Sequence, residues 1–396
     1  MQAVKLLHEL SAQSLGQIHQ RRRESLWAGV SGVLRGGRLS LTHIGRHLDT
    51  QAGEKHAIKR IDRLLGNTHL WDERVQCYRW IGSVTVSSTQ HPIVLVDWSN
   101  ADQRQEHYIL RAALAVGSRA IPLYEEVHTR LSDPKVERRF LQRLADVLPG
   151  ECVPIIVSDA GFRTPWFKAA ASMGWYYVGR IRHRHLVCEP GQEQWRSNKA
   201  FYRQANSRPK CLGEYFITRN TPWRTRLYLY KAKPKGRTYY TAYGKPARAR
   251  HCEKPAASAR EPWLLATNLP HGLRSAHRIV AIYRRRMQIE EGFRDLKSTR
   301  NGLAFRHNLG RNPRRLAILL LIAALATLAL WLLGLYARQA GIDRKLQANT
   351  VRNKAVLSVI FIGQRLVARD ETVPITQLRA AIEQLRLRAV EQLSNF

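Results

Sequence analysis

The chain has 396 residues, with 65 Lys and Arg against 30 Asp and Glu and a formal net charge of +35. Its length suits two or three domains with a sizeable core. Positive charge along the whole chain favours a nucleic acid partner, for which duplex DNA is the natural candidate. An RNA-binding or ribosome-associated protein and a membrane-surface protein are the alternatives, and nucleic acid is favoured well ahead of membrane. The five scattered cysteines argue against a disulfide framework and a structural zinc site. With no signal-peptide pattern at Met1–Glu9, a cytoplasmic protein is expected.

Residues 1–84 are predicted to form a helical N-terminal domain. Apolar residues recur at helical spacing in Ser40–Leu48 and in Lys55–Leu65, with a polar turn between them. The second predicted helix carries Lys59, Arg60 and Arg63 on its outer face. Two short helices of this kind resemble a helix-turn-helix, which predicts DNA binding, and a purely structural bundle is the alternative.

From His91 onward the pattern changes to short apolar runs that alternate with helical segments. Three strands in a meander, then a helix, a strand, a helix and a strand match the order of a ribonuclease-H-like sheet. We therefore predict an α/β catalytic core. The predicted elements are Ile93–Val96, His107–Val116, Ala120–Val127, Ser132–Leu148, Pro154–Val157, Thr164–Met173 and Trp175–Ile181.

Residues from about 190 to 262 form a basic, β-rich insertion in that core. Cations and aromatic residues alternate with a period of two, as in Arg226–Lys231 and Arg237–Tyr243. Such a surface suits a phosphate backbone with exposed bases, and a sheet with an ordinary solvated side is the alternative. The strand Pro262–Thr267 is predicted to return the chain to the core.

The most informative segment lies on a predicted helix, Ser275–Ser298. Successive residues of a helix advance by about 100°, so five side chains fall within one narrow stripe. A carboxylate framed by cations suits a divalent metal beside a phosphodiester, whereas a solvated face with salt bridges is the alternative. The stripe consists of Tyr283, Arg286, Glu290, Arg294 and Lys297.

Three acids are candidate metal ligands. Asp97 and Asp159 each follow an apolar run at the predicted carboxyl end of a strand, where sites collect in α/β sheets, and Glu290 lies in the helix. Each aspartate alone is more often a strand cap. Together the three acids could hold two Mg²⁺ ions about 3.5–4 Å apart for phosphoryl transfer. Glu291 is a poorer candidate, because it lies about 100° away from the stripe.

These residues resemble those of bacterial insertion-sequence DDE transposases of the insertion-sequence-four family. The Tyr-x2-Arg-x3-Glu-x6-Lys signature of that family is matched without gaps by Tyr283, Arg286, Glu290 and Lys297, and the similarity covers about residues 85–340. The resemblance implies that the catalytic and metal-binding acids are Asp97, Asp159 and Glu290, with Mg²⁺ as cofactor and Mn²⁺ as a substitute. It also implies cut-and-paste transposition, in which a nicked end forms a DNA hairpin and is then joined to target DNA.

The same resemblance implies DNA-binding residues. Tyr283, Arg286 and Lys297 would bind phosphates near the hairpin, and Arg294 occupies a position where close relatives have a cation. Trp263 matches a tryptophan that stacks on a flipped base, since an extruded base needs a new π-face. Core packing is the alternative for Trp263.

The expected partners are double-stranded DNA, at terminal inverted repeats and at the target, and a second copy of the chain. Residues 341–396 would supply the dimer contact, because Ile375–Leu393 has the spacing of a packing or dimerisation face. Leu316–Tyr336 is apolar enough to span a bilayer, but a core helix is favoured in so polar a chain, and no membrane partner is expected. The alternative functions are a nuclease of the same fold without strand transfer and a non-enzymatic DNA-binding protein derived from a transposase.

Overall fold

The computed structural model describes residues 2–86, 90–102, 104–182, 185–233, 261–300, 302–348, 350–351 and 353–394. The chain is a mixed α/β protein that divides into two compact units. The first unit comprises Met1–Pro154 and Arg285–Asn395, and the second comprises Ile155–Arg284.

The described helices are numbered in chain order. They are α1 Gln2–Ser11, α2 Gln20–Gly36, α3 Leu41–Arg46, α4 Glu54–Leu65, α5 Thr68–Val86, α6 Pro134–Val147, α7 Thr164–Ser172, α8 Ala276–Arg284, α9 Met287–Lys297, α10 Pro313–Gln339, α11 Ile342–Leu346, α12 Val359–Ala368 and α13 Ile375–Ser394.

The described strands alternate with these helices and are mostly short. They are β1 Ile93–Asn100, β2 Tyr108–Ala115, β3 Ala120–His128, β4 Ile155–Ser158, β5 Tyr176–Ile181, β6 Leu186–Cys188, β7 Arg196–Ser197, β8 Lys210–Ile217, β9 Trp223–Tyr230 and β10 Trp263–Thr267. The seven elements predicted between His91 and Ile181 are confirmed in their order.

The two predicted N-terminal helices are confirmed as α3 and α4. They pack closely, because a Cβ atom on Gly45 would lie 2.6 Å from the Cα atom of Ile58. The apolar side of α4 is buried at Ile61, while Lys59 and Arg63 are exposed. The outer face of α4 is therefore basic, and its role in DNA binding stays a prediction.

Strands β1–β3 of the first unit form an antiparallel meander. Asp97 pairs with Arg111 of β2. One expectation was wrong here, because Asp97 does not end its strand: β1 continues to Asn100. Burial nevertheless changes at this point, since residues 93–96 are buried and the four that follow are not. Asp97 is thus the first residue at which β1 leaves the core.

Helix α10 forms the centre of the first unit and contacts α2, α5, α12, α13 and β3. Among the described helices it alone is long and apolar enough to cross a membrane, but 94% of its apolar window is buried inside the protein. Two glycines let it approach α12 closely. A Cβ atom on Gly334 would lie 2.1 Å from the carbonyl oxygen of Val359, and one on Gly363 would lie 2.3 Å from that of Leu330. The structure therefore uses this segment as a core helix.

The second unit contains a sheet in which β4 and β5 are parallel and the later strands are antiparallel, in the order β4-β5-β10-β9-β8-β6-β7. Helix α7 packs on it where a Cβ atom on Gly179 would overlap the ring of Phe167. The predicted strand Arg226–Lys231 is confirmed as part of β9, which ends one residue earlier at Tyr230, and the return strand is confirmed as β10. The other basic segment, Arg237–Tyr243, lies outside the described residues.

The single helix predicted over Ser275–Ser298 was wrong, because the segment forms two helices, α8 and α9. The turn between them contains Arg285 and Arg286. Their carbonyl groups accept hydrogen bonds from residues three positions later, Gln288 at 2.8 Å and Ile289 at 3.2 Å. This tighter spacing interrupts the regular 100° advance. Tyr283 therefore lies on α8, Arg286 lies in the turn, and Glu290, Arg294 and Lys297 lie on α9.

The apolar face of the last helix, α13, is at least partly a packing face. Leu378, Ile382 and Leu385 are buried, and α13 contacts α1, α5 and α10 within the same unit. Leu387, in contrast, is 61% exposed. Dimerisation through residues 341–396 stays a prediction.

Candidate active site

Two of the three predicted acids, Asp97 of β1 and Glu290 of α9, contact the same guanidinium nitrogen in the first unit. Nη1 of Arg286 forms an ion pair with Glu290 and lies 3.8 Å from Oδ2 of Asp97. Oδ1 of Asp97 accepts a hydrogen bond of 2.9 Å from the backbone N–H of Trp98. A strand and a helix thus direct two carboxylates towards one positive charge.

Helix α9 is held over this part of the meander by polar contacts to the β2–β3 turn. The side-chain oxygen of Gln288 accepts hydrogen bonds from the backbone N–H groups of Val116 and Gly117, at 3.0 and 3.2 Å. Farther along the helix, Arg119 donates to Asp295 at 2.6 Å. These contacts fix the position of Glu290 relative to β1. The residues that make them, Gln288, Arg119 and Asp295, are not part of the sequence signature.

A buried ion pair supports the meander beneath α9. Arg111 of β2 and Glu125 of β3 are register partners, with an Nη2–Oε1 distance of 2.7 Å and almost no exposed side-chain surface. The guanidinium also lies 4.4 Å from the ring centroid of Phe293. Burial raises the pKa of Glu125, and the charge of Arg111 opposes that rise. The sequence could have indicated this pair, because Arg111 and Glu125 carry opposite charges and lie at similar distances on either side of the predicted turn at Gly117.

Lys297, the last residue of the signature, lies at the far end of α9. Its Nζ donates a hydrogen bond of 2.6 Å to Oγ of Ser99, and it lies 5.2 Å from the ring centroid of Phe293. Burial lowers the pKa of Lys297 to about 8, with a further lowering by Arg111 and Arg306 and an opposing effect of Asp97. Ser99 is a site residue that sequence reasoning missed, although it shares a face of β1 with Asp97.

Arg294 and Glu291 belong to a separate ion-pair network on α9. Nη1 of Arg294 lies 2.6 Å from Glu291, whose carboxylate is also 3.5 Å from Arg119. The arginine side chain is 68% exposed. The lower rank of Glu291 as a metal ligand and DNA binding by Arg294 both stay predictions.

The second unit contains the third predicted acid, Asp159, immediately after β4. Its Oδ1 accepts a hydrogen bond of 2.7 Å from the backbone N–H of Gly161, which closes a short Asx turn. The side chain is half-buried. The prediction that this aspartate follows a buried strand is therefore confirmed, and its metal-binding role stays a prediction.

Trp263 and Tyr283 meet in the second unit, as two of three neighbouring aromatic rings. Their ring centroids lie 4.9 Å apart in an edge-to-face arrangement, and Tyr230 lies 5.5 Å from Trp263 on the adjacent strand. Tyr283 is only 3% exposed, whereas Trp263 is half-buried. Arg284 lies over the ring of Tyr230. In this arrangement Tyr283 supports the tryptophan ring, which keeps part of its surface open.

A divalent metal site was predicted from the three acids. Within the described part of the chain, no three His, Cys, Asp or Glu side chains form a group that could hold a metal ion. Asp97 and Glu290 fit such an ion in chemistry, because their carboxylate oxygens are the hard donors that Mg²⁺ prefers and already face a shared cation.

Comparison with known proteins identifies the family. The model of the transposase DDE domain matches residues 87–328, which is more than half of the chain and includes every predicted site residue. The chain belongs to this family. It is a DDE transposase, and membership implies a DNA-cleaving enzyme that acts in DNA recombination. No curated protein matches the chain.

Proposed function

We propose that this DDE transposase moves an insertion sequence by a cut-and-paste route and belongs to the insertion-sequence-four group. The reaction would comprise hydrolysis at a transposon end, hairpin formation, hairpin opening and strand transfer. The observation that carries the proposal is the contact of Arg286 with both Asp97 and Glu290, in a chain of the transposase family. The ungapped spacing of Tyr283, Arg286, Glu290 and Lys297 supports the narrower assignment.

The catalytic domain would be a ribonuclease-H-like core over residues 85–340, with the basic β-rich insertion at about 190–262. The observed order of strands and helices from β1 to β5 supports that assignment. The helices of residues 1–84 would bind DNA through the basic face of α4, and residues 341–396 would form a dimer contact.

Asp97, Asp159 and Glu290 would bind Mg²⁺, for which Mn²⁺ could substitute. When bound, the metal would activate a water or 3′-hydroxyl and stabilise the leaving oxygen. The carboxylate chemistry of the three side chains supports this choice, since Mg²⁺ and Mn²⁺ both favour oxygen ligands.

Arg286 would have two roles in turn. Without DNA its guanidinium offsets part of the negative charge of the Asp97 and Glu290 carboxylates, which limits their mutual repulsion. With DNA bound, a backbone phosphate offers the guanidinium a better partner, because Arg binds phosphate oxygens through a planar fork of donors. The carboxylates are then available to the metal.

Trp263 would stack on a base that is extruded when the hairpin forms. An extruded base loses its neighbours in the stack, and an aromatic ring restores about 1–3 kcal/mol of stacking energy. The half-buried Trp263 ring, held at its edge by Tyr283, is suited to this role. Tyr283 would then act mainly by positioning the tryptophan.

The partners would be double-stranded DNA at terminal inverted repeats and target sites, and a second copy of the chain. The enzyme would act in the cytoplasm, on the nucleoid when bound to DNA. The charge of +35 supports DNA binding through counterion release.

The test is incubation of the purified protein with Mg²⁺ and a DNA duplex carrying the inverted repeats that flank its reading frame. The proposal expects nicked, hairpin and joined products. Nicked DNA without joined products would support the alternative of a nuclease of the same fold. Binding without cleavage would support a non-enzymatic protein derived from a transposase.

A further inference from the structure

We propose that Lys297, Ser99 and Arg306 form a phosphate-binding seat beside Asp97, and that Arg306 is a DNA-contacting residue outside the signature. The proposal rests on the proposed function, because the expected ligand is a backbone phosphate of DNA next to the cleavage site. Its basis is a group of positive charges that the chain folds together at the end of α9.

The backbone after α9 turns back onto the helix and brings Arg306 close to it. The N–H of Leu303 donates to the carbonyl of Asp295 at 2.8 Å, and that of Ala304 donates to the carbonyl of Ser298 at 3.0 Å. Ala304 has a φ of 51°, in the left-handed region that few non-glycine residues adopt. A short 3-10 helix, Phe305–His307, follows at once and contacts α9. A strained backbone conformation thus lies two residues before Arg306.

The two positive charges of this seat exceed the negative charge beside them, since Asp97 acts on Lys297 but is also in contact with Arg286. Among the described residues, neither Lys297 nor Arg306 forms an ion pair with a carboxylate, and Arg306 is exposed. Arg111 also lies near Lys297, but it is outside the seat and is paired with Glu125. An excess of close cations is electrostatically unfavourable, and a bound anion would relieve this.

Ser99 fixes the direction of the lysine. Its hydroxyl accepts the 2.6 Å hydrogen bond from Nζ of Lys297, and β1 places it two residues after Asp97 on the same face of the strand. A phosphate that binds Nζ therefore lies beside the Asp97 carboxylate. The Ser99 hydroxyl hydrogen is left to point elsewhere, including towards a phosphate oxygen.

The first test is duplex binding by fluorescence anisotropy in EDTA, with wild-type protein, Arg306→Gln and Arg379→Gln. Arg379 is an exposed arginine on α13, so its replacement removes the same charge elsewhere on the first unit. Arg306→Gln is expected to weaken binding roughly tenfold and to reduce the salt slope by about 1. Equal effects of the two substitutions on DNA affinity would show that Arg306 does not belong to a phosphate-binding seat.

The second test distinguishes the loss of the Ser99 hydroxyl from a general disruption of the structure around β1. Ser99→Thr keeps a hydroxyl and should retain DNA affinity and cleavage in Mg²⁺, whereas Ser99→Ala should reduce cleavage severalfold. Equal cleavage by the two variants would remove Ser99 from the seat. Because the first test uses no metal, its result stands even if the wild-type protein cuts no DNA, so failure of the seat and failure of the proposed function are distinguishable.

Discussion

Nη1 of Arg286 lies 3.8 Å from Oδ2 of Asp97 while it also pairs with Glu290, so one guanidinium holds the two acids of the first unit together. The arginine side chain is only 19% exposed. Solvent therefore screens these contacts less than it would screen a surface ion pair.

Replacement of Arg286 by Met should tighten metal binding by the DNA-free protein. The substitution removes the cation that competes with a metal for the Asp97 and Glu290 carboxylates. Mn²⁺ affinity, measured by isothermal titration calorimetry, should rise roughly tenfold, which corresponds to about 1.4 kcal/mol. Arg379→Gln is the control for the lost charge. Unchanged or weaker Mn²⁺ binding would show that the guanidinium does not compete with the ion.

The isosteric replacements Asp97→Asn, Asp159→Asn and Glu290→Gln should each reduce cleavage by at least about a thousandfold, as expected when several kcal/mol of metal-based stabilisation are lost. DNA binding in EDTA should be retained. The matched control is Glu291→Gln, since Glu291 pairs with Arg119 and Arg294. Cleavage should be followed by gel electrophoresis of labelled duplexes. Similar losses for Glu290→Gln and Glu291→Gln would argue against the selection of Glu290.

The close approach of α10 and α12 predicts a stability effect at Gly334. A Cβ atom there would lie 2.1 Å from the carbonyl oxygen of Val359, so Gly334→Ala must push the helices apart. The free energy of unfolding should fall by about 1–3 kcal/mol, despite the better helix propensity of Ala. Gly150→Ala, where no atom lies within 4 Å of the added carbon, is the control. Urea denaturation should separate the two variants, and equal midpoints would contradict the packing.

Lys297 should make stability depend on pH in alkaline solution. Burial lowers its pKa from 10.5 to about 8 in the folded protein. Between these two pKa values the unfolded chain binds more protons than the folded protein. The free energy of unfolding therefore gains a contribution from Lys297 that rises with pH from about 8 to 10.5. Below pH 8 its full destabilising effect is present. Lys297→Met should abolish this contribution in urea denaturation at pH 7.5 and 10. An identical pH dependence in both proteins would mean that the amine is not desolvated.

Trp263→Ala should impair hairpin formation more than the first nick, because the flipped base is needed only for the hairpin. Loss of about 1–3 kcal/mol of stacking corresponds to a roughly five- to hundredfold slower hairpin step. Trp263→Phe keeps an aromatic face and should restore much of the rate. The two steps can be timed separately on denaturing gels. Equal slowing of nicking and hairpin formation would remove the base-stacking role.

The sequence predicted the order of elements well wherever the pattern was local. The buried runs before Asp97 and Asp159 became strands, and the apolar segment around Gly334 became a core helix. The turn at Arg285 was not predictable from periodicity, because the apolar spacing continues through it. The turn is visible only in the backbone hydrogen bonds, which here join residues three positions apart in the sequence.

Sequence reasoning selected the charged residues that meet at Arg286 but not the partners that position them. Spacing selected Arg286 and Glu290, since both belong to one short motif. Ser99 and Gln288 were missed because their contacts join segments distant in sequence, to Lys297 and to the β2–β3 turn. Such contacts depend on how α9 lies over β1, which no local pattern specifies.

Asp97, Asp159 and Glu290 are proposed to bind the same metal ions. This proposal can be tested by exchanging Mg²⁺ for Fe²⁺ in the DNA-bound protein and mapping the backbone cuts made by locally generated hydroxyl radicals. If the three acids share the ions, cuts are expected in three separate segments, next to each of the three acids, and should disappear together in Asp159→Asn. Cuts near Asp97 and Glu290 that persist unchanged in this variant would contradict it.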